Sequence, residues 1–167
     1  MLSLKNIRSV YFIGIGGVEA SLRRFAHYDY WDNSIHPSIL IESGADILMY
    51  GMGEKHSVEI AKRLQNGEPI SSLTDILGTC ISIPVKKYTP RPCVECPSFT
   101  LVSNDKKQYA ISCRLQQDEQ DAIRGKTVIQ RHNDVIVVQN PPMPPLTTEE
   151  FDAIYDLPFE REYHPIY

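Results

Sequence analysis

The chain has 167 residues, of which 42% are hydrophobic and 23% charged, with a formal net charge of -4. That is enough apolar material for one compact domain with an appendage. The acidic balance argues against nucleic acid or an anionic membrane as partner, and no apolar run is long enough to span a bilayer.

In chain order, the opening MLSLKNIRSV has no apolar core followed by small residues. No signal peptide is read there, and a cytoplasmic protein is expected. Residues 9–15, SVYFIGI, read as a buried parallel strand that runs into Gly14, Gly16 and Gly17. The next stretch carries Val18, Leu22, Phe25 and Ala26 at helical spacing, which predicts a helix with one apolar stripe. It should fail by Asn33 or Pro37, and a short turn of structure restarts over 38–41. Residues 45–50, ADILMY, read as a second buried strand. The turn GMGE and the helical run HSVEIAKRLQNG follow, with Gly67 as C-terminal cap. A third strand is expected over 79–85.

This rhythm predicts the α/β class with a thin, partial parallel sheet over residues 1–85. Right-handed crossovers would place both glycine turns on one edge of that sheet. From residue 86 the character changes, since ten of the twelve prolines lie between Pro84 and Pro165. Residues 86–167 are therefore read as an extended proline-rich arm with its own helix and β-hairpin. The helix spans 105–119, starts at Asp105, and is expected to turn Tyr109, Ile111, Cys113 and Leu115 inward. The hairpin brackets RHND at 131–134, with a turn longer than minimal. PPMPP is a stiff spacer, and TTEEFDAIYDL opens a short capped helix.

Three stretches carry a family likeness: GGVEASLRRFAHYDYWDNS at 16–34, ADILMYGMGEKHSVEIAKRLQNGEPI at 45–70, and the segment from Arg114 to Tyr167 containing VVQNPP, YDLP and YHP. Together they resemble consecutive segments of the YgiQ-type radical S-adenosylmethionine (radical-SAM) family. The resemblance implies a doubly wound, cobalamin-binding-like region ahead of a radical-SAM barrel. In the full-length family, that barrel uses a C-x3-C-x2-C motif to hold a [4Fe–4S] cluster that binds S-adenosylmethionine. The cysteines here, Cys80, Cys93, Cys96 and Cys113, show other spacings, and no D-x-H-x-x-G cobalamin pattern occurs. The expectation is therefore a fragment of such a protein, non-catalytic alone, with no cofactor in this chain and an unknown substrate. The opening LKNIRSVYFIGIGG also resembles the nucleotide loop of the muramyl ligases.

Several positions are candidate sites. Gly16 and Gly17 with Gly51 and Gly53 would line a cofactor site if the two turns share an edge. They would then support a stand-alone small-molecule- or nucleotide-binding module. A dinucleotide fingerprint is incomplete, because Glu19 stands where its third glycine belongs, so a tight strand-to-helix turn is the plainer reading. G-K-T at 125–127 lacks the upstream glycine of a phosphate loop, with Gln120 in its place. Cys93 and Cys96 form one C-x-x-C, a weak candidate for half a metal site or a redox pair, with Cys113 expected in the core. His27 and Asp29 lie in an aromatic run that reads as a packing patch, or as an acid–base pair. His36, His56, His132 and His164 are scattered and suggest no metal set. The expected partner is a radical-SAM barrel or another copy, meeting this chain through an exposed apolar patch.

Overall fold

The computed structural model describes residues 14–158 and 162. A six-stranded sheet runs in the order β1 (Gly14–Ile15), β4 (Ile47–Met49), β5 (Thr79–Pro84), β8 (Val135–Gln139), β7 (Val128–His132), β6 (Val94–Cys96). A separate hairpin pairs β2 (His27–Asp29) with β3 (Ser34–His36). Of the strand expected over 9–15, only Gly14 and Ile15 are described. Most of the stretch that resembles the muramyl ligases, and His164, lie outside the described residues.

The α/β class holds, and β1 pairs with β4 in parallel, Gly14 opposite Ile47. The next three pairings, β4–β5, β5–β8 and β8–β7, are antiparallel, and β6–β7 is parallel again. The sheet is therefore mixed rather than parallel throughout, and strands from both sides of residue 85 share it. The cause is legible in Val135–Val138. This run is apolar at every position, so it needs cover on both faces, which only an interior strand receives. Ile136 and Val138 pack on one face with Ile47, Ile60, Ile81 and Ile129. Val137 packs on the other with Phe25, Cys96 and Val128. The turn between β7 and β8 is only Asn133–Asp134, shorter than expected, with Asn133 at φ 52°. Asparagine tolerates that left-handed conformation better than most residues.

Helix α1 covers only Gly17–Leu22. Val18 and Leu22 are exposed, while Phe25 is buried, so the predicted stripe over 18–26 does not form. Helical continuation would keep Phe25 on the face of Val18 and Leu22. Leaving the helix turns Phe25 toward the sheet instead, and the freed Ala26 N–H donates to Gln130 Oε1 at 2.8 Å.

The short helix α2 (Ile39–Ser43) is capped by Ser38, whose hydroxyl accepts from Leu40 N–H. Helix α3 (Glu54–Gln65) ends as read: Gly67, at φ +86°, donates to Leu64 O, and Glu68 N–H reaches Arg63 O. This paired closure uses two of the last carbonyls of the helix. Helices α4 (Phe99–Asn104) and α5 (Lys106–Asp118) cover the far end of the sheet. Asp105 caps α5 as expected, but Ser112 is its buried residue, whereas Ile111 and Cys113 are exposed. Residues spaced by two cannot share one face of a helix. Helix α6 (Thr148–Tyr155) has a full capping box between Thr147 and Glu150. Glu150 also pairs with Lys55 of α3 at 2.7 Å, which ties α6 to α3.

Candidate ligand cleft at the ends of β1 and β4

Because β1 and β4 are parallel neighbours, the turns that follow them emerge on the same sheet edge. Ser21 joins the two turns: its hydroxyl donates to Gly17 O at 2.8 Å and accepts from Gly51 N–H at 3.2 Å. Gly17 and Gly51 adopt φ of +86° and +73°, where a side chain would be strained. Gly16 and Gly53 have no such requirement, since a Cβ would make only ordinary contacts at both.

A cavity of about 370 Å³ opens beside these turns, walled by Leu22, Arg24, Tyr50, Gly51, Met52 and the proline segment from Pro142 to Leu146, among others. Its volume lies within the range of small-molecule pockets. Of the four glycines singled out from the sequence, only Gly51 is among its walls. Residues 142–145 of the PPMPP run, read from the sequence as a spacer, thus form a wall of the cleft.

Arg24 is the buried charged residue of this cleft, at 6% exposure. Its Nε donates to Gln139 Oε1 at 2.6 Å, and its Nη1 donates to Ser21 O. The guanidinium lies 5.3 Å from the Tyr50 ring centre and 5.9 Å from that of Phe25. The Tyr50 hydroxyl donates to Asn140 O at 2.6 Å, and burial holds its phenol protonated far above the ordinary tyrosine range. Asn140 in turn donates from Nδ2 to Thr74 O, Ile76 O and Thr79 Oγ1, at 3.0–3.1 Å. Arg24, Gln139 and Asn140 were not singled out as site residues from the sequence. The signal was slight: Arg24 follows Arg23 in a mixed polar and apolar run, Gln139 and Asn140 end an apolar one, and 115 positions separate Arg24 from Gln139.

The remaining candidates do not converge. Asp29 is held by Arg23 at 3.3 Å and by Trp31 N–H at 2.8 Å, while His27 Nδ1 faces Phe25 O at 3.2 Å. No bond joins His27 to Asp29. The β2–β3 hairpin leaves Tyr30 and Trp31 exposed. His36 sits between Asp32 and Glu42, at 2.7 and 2.9 Å. Its hydrogen bonds to Glu42 and Asp32 raise its pKa to about 9. His56 and His132 are buried, and burial lowers both, His132 to about 4.

A [4Fe–4S] cluster needs three thiolates around one iron–sulfur cube. Cys93 packs with the Ile81 cluster, beside the Tyr88 hydroxyl at 3.8 Å. Cys96 lies on the other face of the sheet with Phe25 and Val128, its thiol pushed up to about 11 by burial. Cys80 is buried with Leu48 and Tyr50 and pushed up to about 12, and Cys113 is exposed on α5. An odd separation along an extended strand sends Cys93 and Cys96 to opposite faces. These thiols do not fit the cluster, nor do Cys93 and Cys96 fit a shared metal. Among the described residues, no three His, Cys, Asp or Glu side chains are placed to hold a metal ion. No described helix is long and apolar enough to cross a membrane.

The profile of the Radical SAM N-terminal family matches residues 3–167. A UPF0313 protein of Clostridium botulinum is 54% identical over 158 residues, which cover 92% of this chain and 24% of that protein. UPF0313 proteins of Clostridium perfringens and Methanocella arvoryzae are 50% and 52% identical, with 93% and 91% of this chain covered against 23% and 25% of theirs. The chain thus spans about a quarter of the length of these relatives. No solved structure matches it. With nearly every residue inside the family profile, and half of the aligned positions identical to UPF0313 proteins, this chain belongs to the Radical SAM N-terminal family.

Proposed function

We propose that this chain is a non-catalytic unit of a radical-SAM protein, serving a cluster-bearing barrel that corresponds to other parts of its longer relatives. The observation that carries this reading is the dispersal of its thiols: Cys93 and Cys96 face opposite sides of one sheet, and Cys80 and Cys113 lie elsewhere. S-adenosylmethionine and [4Fe–4S] chemistry then belong to the barrel, and the substrate is left open. The exposed Tyr30–Trp31 tip of the β2–β3 hairpin is the apolar surface offered to that barrel or to a second copy. The four free thiols suit a reducing compartment, which supports the cytoplasm. Anaerobic reconstitution of the purified chain with iron and sulfide tests the reading. It should give no stoichiometric cluster absorbance and no cleavage of S-adenosylmethionine; a stable four-iron cluster overturns it.

A second reading, a small-molecule-binding module that works without the barrel, is favoured by one observation. The cleft beside Gly51 has the volume of a ligand pocket and one buried charge in its wall.

A further inference from the structure

We infer that the cleft at the ends of β1 and β4 binds a small organic anion, a carboxylate or phosphate carried on an apolar body, with Arg24 as its counter-charge. The inference deepens the small-molecule reading and is independent of where radical chemistry takes place.

Arg24 is a buried cation, and among the described residues no carboxylate lies within ion-pair distance of it. Its partners among the described residues are neutral: a glutamine oxygen, a main-chain oxygen and two ring faces. They orient the guanidinium without cancelling its charge. No acceptor among the described residues reaches Nη2, and the side chain forms part of the cavity wall. Gln139, which receives the Arg24 Nε–H, is itself fully buried with no hydrogen bond at Nε2. A buried charge without a counter-charge is costly, and a bound anion removes that cost.

The rest of the wall narrows the class. Lys55 is already engaged by Glu150 at 2.7 Å. Glu54 is the acidic residue in the wall, but it is exposed at the first turn of α3, where water screens it. Leu22, Met52 and the prolines make the remaining surface chiefly apolar. One buried guanidinium on an apolar wall matches a ligand with one anionic end, and a guanidinium presents the paired donors that carboxylate and phosphate accept.

The test is an NMR titration of the isotope-labelled chain with benzoate, phenyl phosphate, inorganic phosphate and benzylamine. The expected result is a saturable shift of the Gly51 and Met52 amides with benzoate or phenyl phosphate, at a dissociation constant on the order of 1 mM. Whichever of the two binds more tightly identifies the anionic group, and weaker binding of inorganic phosphate shows that the apolar body contributes. Benzylamine, with the same ring and opposite charge, should not saturate. Met52→Glu, at an exposed wall position, should weaken anion binding about tenfold by repulsion while leaving the fold intact. Arg24→Gln should abolish binding; if that variant does not fold, Met52→Glu decides. The inference is overturned if neither organic anion saturates, if benzylamine binds equally well, or if Met52→Glu binds as the parent does. None of these results bears on cluster assembly, so its failure is distinguishable from failure of the radical-SAM reading.

Discussion

Arg24 and Gln139, 115 positions apart, meet through a 2.6 Å Nε–H···Oε1 hydrogen bond that joins the segment after α1 to the end of the central strand β8. The acceptor side of this bond is what keeps a buried guanidinium oriented. Gln139→Leu should therefore destabilise the chain by about 1.5–3 kcal/mol, the range for a hydrogen bond to a charged group. Urea unfolding measures it, and an unchanged midpoint would mean that the bond does not form in solution.

Gly78 is bound to its neighbours in a different way. It has φ +71°, and an added Cβ would lie 2.6 Å from His56 Nδ1. Gly78→Ala should cost at least about 2 kcal/mol, since backbone strain and overpacking act together. In a double-mutant cycle, His56→Ala should recover part of the loss, because it removes the clash but not the strain. Purely additive effects would contradict this geometry.

Acid should destabilise the protein through its buried imidazoles. His132 stacks on Phe99 at 5.3 Å, and burial depresses its pKa to about 4. Between that value and the ordinary value near 6.5, the unfolded chain binds more protons than the folded one, so stability rises with pH there. The contribution is intact above about 6.5 and falls away toward pH 4, by about 3 kcal/mol for His132 alone. His27 and His56 shift in the same direction, also through burial. Thermal melts of the parent and of His132→Phe between pH 4 and 7 should diverge; parallel curves would exclude His132 as a source.

His36 behaves in the opposite sense. Hydrogen bonds from both ring nitrogens to Glu42 and Asp32 stabilise the imidazolium and raise its pKa to about 9. Its contribution is fully present below about 6.5 and is lost as pH rises through the folded value. An NMR titration should find this ring still charged at pH 8, with the midpoint falling in Asp32→Asn. A midpoint near the ordinary histidine value in the parent would rule the bridge out.

The four thiols should differ in reactivity. Cys113 is exposed, whereas Cys80 and Cys96 are buried and held protonated, with pKa values near 12 and 11. A thiol-specific disulfide reagent should modify Cys113 first and half-buried Cys93 more slowly. Cys80 and Cys96 should react only on unfolding, since the thiolate is the nucleophile. Rapid native modification of Cys96 would contradict its burial against α5.

The amino-acid order alone determined the features that local physics controls. Gly67 past α3, Asp105 before α5 and the cap that opens α6 act where the sequence puts them. Each depends on contacts within a few residues. The same holds for β4 and β5, whose apolar runs are short and bounded. Family membership was also legible, because it resides in uninterrupted strings such as EASLRRFAHYDYW. What only the tertiary structure decided was pairing and facing. Strand direction in the sheet, the early end of α1 at Leu22, and the inward turn of Ser112 in place of Cys113 all depend on which surface lies opposite. The cleft is of the same kind. Arg24, Tyr50 and Gln139 become one site only when β8 takes its place beside β5, and no local spacing encodes that long-range burial.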